Sequence, residues 1–265
     1  MALPTQKGGQ VHTVSRVRVL PENLTNKISA GEVVERPASV VKELIENSLD
    51  ANATQITVEV GRGGRTMIKV IDNGDGMDKT DALLALERHS TSKINSEGDL
   101  LSLQTFGFRG EALPSIAAVS RMRITTKPEG ELAGTEIQME GGRITRVREV
   151  GCARGTSVEV RNLFFNTPAR LKFLKSAEVE FGHIAEMISR MALANPRVQF
   201  RLYHNGRPII DFPPASEPLE RLAELIGQEA CQRILPVGFE GEGLKITGFT
   251  SRPIHTRPTY TQGEI

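Results

Sequence analysis

The sequence contains no G-x-x-x-x-G-K-[ST] string, so the common phosphate-cradling loop is absent. It has no long apolar run, and residues 1–20 hold no apolar h-region, which argues against a membrane-spanning or secreted chain. Its two cysteines, Cys152 and Cys231, lie far apart and belong to no C-x-x-C; they read as reduced thiols of a cytoplasmic protein. The five histidines show no metal-ligand spacing. Internal repeats are absent. A net charge of +1 excludes bulk-charge attraction to nucleic acid, so any such contact must come from a local patch. What remains is 265 residues with 38% hydrophobic and 25% charged side chains, the profile of a soluble globular protein of one large or two modest domains.

Punctuation along the chain gives its organisation. Residues 1–13 read as a polar arm, 14–20 as a strand and 22–30 as a short helix. Pro37 opens a stronger helix to about residue 51, since proline suits a first turn. Apolar residues alternate at Ile56, Val58 and Val60, the chain turns at Gly61-Arg62-Gly63-Gly64, and 67–71 returns as a second strand. Residues 79–88 read as helix and 112–119 as a short apolar one. Between them, 90–110 is a glycine-containing loop of roughly 20 residues, a length typical of a lid. Strands follow at 121–126, 131–138, 143–150 and 156–160, then a long helix at 177–194. A hairpin closes around Asn205-Gly206. Pro213-Pro214 marks a boundary, Ser216 is a candidate cap for a helix with Pro218 in its first turn, and 234–239 with 244–250 forms a last hairpin. This order, without regular βαβ alternation, predicts an α+β sandwich: helices on one face of a mostly antiparallel sheet. The expected domains are 1–214 and an incomplete second α/β unit at 215–265.

Three segments carry chemistry. On a wheel of roughly 100° per residue, Glu43, Asn47 and Asp50 fall on one face, opposite Val41, Leu44, Ile45 and Leu49. That is either a solvated face or a general base, Glu43, one turn from a metal-binding amide, Asn47. Mg²⁺ takes few protein groups beside phosphates, so one amide is a reasonable share. Asp72-Asn73-Gly74-Asp75-Gly76 ends an apolar strand. It is either an ordinary turn or an adenine reader, in which Asp72 accepts from the amino group while Gly74 and Gly76 let the backbone pass close to the purine. A guanine oxygen facing Asp72 would be repelled. Gly107-Phe108-Arg109-Gly110-Glu111-Ala112-Leu113 enters a helix and is either a hinge or a set of amides aimed at phosphates. Thr91, Ser92 and Lys93 offer hydroxyls and a cation to the same anion, and Thr156 is a candidate wall of the base pocket.

In this order the three segments resemble the GHKL ATPase superfamily, and more closely the N-terminal region of the MutL family of DNA mismatch-repair proteins. The strings that carry the resemblance are Ile28-Ser29-Ala30-Gly31-Glu32-Val33-Val34-Glu35-Arg36-Pro37, residues 88–94, residues 107–113 and Asn162-Leu163-Phe164-Phe165-Asn166-Thr167-Pro168-Ala169-Arg170. The similarity runs from about residue 19 to the C-terminus. It implies a GHKL-type sandwich, ATP and Mg²⁺ as cofactors, slow hydrolysis, lid closure and nucleotide-driven pairing of two N-terminal regions as a homodimer. It also implies Glu43 as base, Asn47 as metal ligand, Asp72 as adenine reader and Gly110 to Leu113 as lid amides, with mismatch-recognition proteins as partners. Asp75 departs from the family, which more often has a small or thiol residue there. The family continues into a second α/β domain with an F/Y-V-N-G-R segment and a lysine that reaches the terminal phosphate. The present sequence stops before that segment, so a truncated form or fragment is expected.

From Arg143 to Lys175 eight Arg/Lys stand against two acidic residues, a local balance of +6. That is either a set of solvated strand edges or a weak, sequence-independent DNA contact. No aromatic interleaving points to base stacking. Two functional classes follow: an ATP-hydrolysing switch in mismatch repair, and a nucleotide-gated binding module with negligible turnover. A topoisomerase-type or kinase-type GHKL domain lacks the 162–170 string and is disfavoured.

Overall fold

A computed structural model describes residues 30–88, 90 and 110–251. The expected arm, first strand, most of the helix at 22–30 and nearly all of the loop at 90–110 lie outside these residues, as do Thr91, Ser92, Lys93 and Arg109.

Eight strands form one sheet in the order β5-β4-β3-β6-β2-β1-β7-β8. They are β1 (Gln55–Gly61), β2 (Met67–Asp72), β3 (Arg121–Lys127), β4 (Gly134–Glu140), β5 (Arg143–Val150), β6 (Gly155–Arg161), β7 (Gln199–His204) and β8 (Arg207–Phe212). Only β1 and β7 run parallel; every other neighbouring pair is antiparallel. Helices α1 (Pro37–Asp50), α3 (Ala112–Ala118) and α5 (Ala177–Ala194) form the second layer, with the short α2 (Lys79–Leu84) and α4 (Pro168–Phe173) at its margins. The mostly antiparallel α+β sandwich expected from the sequence is the fold observed.

Strand register explains where a pocket can form. Alternate residues face the helices, and they line up in rungs across the sheet. One rung is Val60, Ile68, Val160, Met122 and Met139; the next is Val58, Val70, Val158, Ile124 and Ile137. All ten are buried, and fully burying such a side chain contributes about 1.5–3 kcal/mol. From the helical side come Val40, Val41, Leu44 and Ile45 of α1 and Ile184 and Ile188 of α5. The third rung starts with the buried Ile56 on β1 and then turns polar: Asp72 on β2, Thr156 on β6, whose amide donates to Asp72, Thr126 on β3 and Thr135 on β4. Apolar packing therefore ends one rung short of the ends of β2, β6, β3 and β4, and helix and sheet part there over a polar floor.

Several boundaries differ from the sequence reading, each for a local reason. The helix from Lys79 ends at Leu84, because the chain passes into three-residue turns, with the Leu86 amide donating to Leu83 O and that of Glu87 to Leu84 O. β4 starts at Gly134, where a side chain would run into Cys152 Sγ and the Thr126 carbonyl. Helix α4, opened by Pro168, escaped the sequence reading. Helix α6 (Pro218–Ile226) has Glu217, not Ser216, at its N-cap; Glu220 Oε2 reaches back to the amides of Ser216 (2.8 Å) and Glu217 (3.4 Å).

The chain beyond Pro214 is partly tied to the sandwich. Arg221 is fully buried, and its Nη2 donates to the carbonyls of Pro196 (2.7 Å), Val198 (3.0 Å) and Pro213 (2.7 Å). Leu222 is buried too. The short α7 (Gln228–Cys231) leads to a separate two-stranded sheet, β9 (Ile234–Gly241) and β10 (Leu244–Ser251), which exposes Leu235, Val237, Phe239, Leu244 and Ile246.

Candidate nucleotide-binding cleft

A cleft of about 1000 Å³ opens where the polar rung meets α1. Its lining includes Glu43, Asn47 and Asp50 from α1, Asp72 and Gly76 from the β2 turn, Gly110 to Leu113 at the start of α3, and Thr156 of β6. Three segments separated in sequence thus converge on one space. Gly74 sits in the same turn, against Ala51. No metal cluster of three or more His, Cys, Asp or Glu exists among the described residues.

Helix α1 places its polar face by simple means. Pro37 stands in its first turn, and the apolar arc sinks into the core. Two residues depart from a purely amphipathic picture. Glu46 is buried yet held by Lys42, whose Nζ lies 2.8 Å from Oε1 and 3.8 Å from Glu43 Oε1. Burial works against the charge on Lys42, but the carboxylates of Glu46 and Glu43 together raise its ammonium above the ordinary value. Ser48 is buried because it falls within the apolar arc, directly over the end of β2.

Asp72 is the buried carboxylate on the cleft floor. Its Oδ2 accepts from Ser48 Oγ at 2.8 Å; its Oδ1 accepts from the amides of Gly74 (3.0 Å) and Thr156 (3.1 Å). Burial pushes its carboxyl above the usual carboxylate range; the three hydrogen bonds oppose this, and the nearby Asp75 charge adds to it. Thr126 Oγ1, beside Thr156 Oγ1 at 3.0 Å, accepts from the Met77 amide at 2.9 Å and so fixes the far side of the turn.

Two glycines permit this packing. Gly76 has φ +72°, and a Cβ there would collide with the Lys127 carbonyl. Gly155, at φ +106°, lies against the Asp72 carbonyl in the same way. Asn73 holds the turn from outside, its Oδ1 accepting from the amides of Thr54 and Gln55, both at 2.9 Å.

At the other end of the cleft, Gly110 (φ +60°) packs on the backbone of Ser90, and the first turn of α3 carries no side-chain cap. Its amides are the kind of donors an anion attracts. The donor set on α1 is all oxygen, carboxylate and amide, which suits a hard cation that draws its other ligands from phosphates and water.

Ser48 and Thr126 were not among the residues singled out from the sequence. Their signal was available: each is a polar residue at an apolar phase of its element. The basic stretch at 143–175 is less free than its composition suggests. Arg148 pairs with Glu136, Arg161 with Glu159, and Arg154 with Asp75 and Glu129, while Arg143 and Arg146 lie on the exposed edge strand β5.

Residues 35–151 match the family described as histidine kinase-, DNA gyrase B-, and HSP90-like ATPase. The chain is 54% identical over 239 residues to the DNA mismatch repair protein MutL of Citrifermentans bemidjiense, which covers 90% of this chain and 37% of that protein. It is 54% identical over 238 residues to MutL of Geobacter sulfurreducens, covering 90% and 39%. The chain thus spans under two fifths of the length of these relatives. Among solved structures, the Aquifex aeolicus MutL ATPase domain complexed with ADP superposes with a TM-score of 0.67 at 35% identity, covering 83% of this chain and 78% of that one. With that coverage and identity, the chain belongs to the MutL family of DNA mismatch-repair proteins.

Proposed function

We propose that the cleft binds ATP with Mg²⁺ and hydrolyses it slowly, as the nucleotide-responsive region of a mismatch-repair protein. The observation that carries this reading is the convergence of Asp72, with its Ser48 and Thr156 partners, and the Glu43/Asn47 face of α1 on one cleft. A buried carboxylate with a fixed orientation selects a donor, and the exocyclic amino group of adenine is one. A guanine oxygen facing it would leave two acceptors opposed, at a cost of about 1–3 kcal/mol. The ADP-bound Aquifex aeolicus domain supports the assignment of the cleft to an adenine nucleotide.

In this reading Glu43 accepts a proton from the attacking water as general base, a role that contributes about 10²–10⁴-fold in rate. Asn47 would hold Mg²⁺ through its carbonyl oxygen; when bound, the metal neutralises phosphate charge. Asp50 adds acceptor capacity at the same face. Gly110, Glu111, Ala112 and Leu113 present backbone amides to the phosphates, with Thr91, Ser92, Lys93 and Arg109 assigned to the same end from the sequence alone. The segment at 90–110 closes over the nucleotide, and closure promotes pairing of two chains. The division near Pro214, the DNA contact at the Arg143/Arg146 edge and the mismatch-recognition partners belong to the same proposal.

Titration of ATP and of GTP, each with Mg²⁺, together with steady-state hydrolysis, tests it. ATP binding with weak GTP binding and slow turnover is expected. Hydrogen exchange across 90–110 should slow on adding ATP. Equal affinity for both nucleotides would overturn the role given to Asp72, and binding without turnover would favour the gated binding module.

A further inference from the structure

Arg154 sits outside the cleft, in the connection between β5 and β6, yet it grips the turn that forms the cleft floor. Its Nε donates to the Gly74 carbonyl at 3.2 Å, its Nη2 to Asp75 Oδ1 at 3.3 Å and its Nη1 to Glu129 Oε2 at 2.5 Å. Asp75 extends the grip to α1. Its amide donates to the Ala51 carbonyl at 2.8 Å, and its Oδ2 accepts from Asn52 Nδ2 at 2.7 Å. Ala51 closes the helix that carries Glu43, Asn47 and Asp50. One guanidinium therefore links the β5–β6 connection, the Asp72 turn and the end of α1.

Charge gives this linkage a second effect. Asp72 and Asp75 both line the cleft, so two carboxylates face the same space. The charge on Asp75 adds to burial in favouring the protonated form of Asp72. A protonated carboxyl loses acceptor capacity toward an amino group. Arg154 is the cation paired with Asp75.

We propose that Arg154 is a positioning residue for the nucleotide base: it holds the Gly74 carbonyl and neutralises Asp75, keeping Asp72 oriented and accepting. The inference rests on the reading of the cleft as an adenine-nucleotide site. It gives Asp75, the departure from the family pattern, a partner within this chain. Half-exposed ion pairs are modest, so an effect of about three- to fivefold in affinity is expected.

The test is calorimetric titration of wild type, Arg154→Ala, Arg154→Lys and the double variant Arg154→Ala/Asp75→Asn with Mg-ATP and Mg-GTP, with turnover at saturating ATP. Arg154→Ala should weaken ATP binding about three- to fivefold and lower the ATP preference, with kcat unchanged. Lysine should restore part of the loss. The double variant should return to within about twofold of wild type, because the unneutralised charge is gone while an amide still accepts from Asn52. Wild-type affinity in Arg154→Ala, or a double variant as weak as the single one, would overturn the inference while leaving the nucleotide site in place. Failure of the wild-type chain to bind ATP would overturn the adenine reading, and this inference with it.

Discussion

Ser48 Oγ lies 2.8 Å from Asp72 Oδ2 and 3.0 Å from the Leu44 carbonyl, and its single proton cannot serve both. When Asp72 is ionised the hydroxyl donates to the carboxylate. When Asp72 carries the proton, the carboxyl can donate to Ser48 and the hydroxyl to Leu44. The buried pair thus accommodates either state of the carboxyl.

That arrangement makes Asp72→Asn a mild change for folding and a severe one for recognition. An amide satisfies the Gly74 and Thr156 donors through its oxygen and donates to Ser48 through its nitrogen. ATP affinity should fall, and the ATP-to-GTP ratio with it, because the amide can also turn a donor toward guanine. An unchanged ratio in parallel titrations would remove Asp72 from the role of base reader.

The same residue predicts a pH effect. Its folded-state carboxyl is raised, so the native chain binds this proton more tightly than the unfolded chain. Stability contributed by this group is therefore greatest below the ordinary carboxylate range and declines as pH rises through the raised value. Asp72→Asn lacks that decline. Denaturant unfolding at a series of pH values should show the variant gaining on wild type as pH increases across this interval; parallel curves would contradict the assignment.

Glu43→Ala should leave ATP affinity within about twofold and reduce turnover by about 100-fold or more. Glu43 lies on the cleft face of α1. Binding and turnover lost to the same extent would mean that the side chain holds nucleotide and is not the base.

Gly155→Ala should destabilise the fold by about 1–3 kcal/mol, since its φ of +106° is strained for any other residue and its missing side chain makes room for the Asp72 carbonyl. The displaced strand end carries Thr156, so ATP affinity should drop as well. Thermal unfolding and a nucleotide titration on one preparation measure both.

Arg221→Met should cost about 1–3 kcal/mol, because the three part-buried carbonyls it serves lose their donor. Limited proteolysis of wild type should spare α6, whereas the variant should be cut between Pro213 and Ile226. Equal resistance in both would show that the arginine is dispensable to docking.

Much of this was legible in the sequence, and the exceptions share a cause. Pro37, the glycine turn at 61–64 and the alternation at Ile56, Val58 and Val60 are local signals, and α1, β1 and β2 follow them. The converging segments were found because residue type and spacing mark them. Arg154 could not be found that way: its partners Gly74 and Asp75 are 80 and 79 residues away, and only strand order brings them together. Arg221 is similar. A charged residue in an amphipathic helix reads as solvent-facing until the chain supplies three carbonyls around it. Ser48 was legible in principle, as the one hydroxyl within the apolar arc of α1.

The parallel pairing of β1 with β7 has a consequence for how the protein is made. Ile56 pairs with Phe200 and Val58 with Leu202, so a central strand awaits a neighbour 144 residues further along the chain. β2 likewise waits for β6. Such long-range pairing slows folding and postpones closure of the sheet until β7 has left the ribosome. Asp72 and Thr156 meet only when β2 pairs with β6. Nucleotide capture during translation would therefore report chains in which β6 has paired with β2, and a variant that delays β6 would lose ATP binding before it loses helical content.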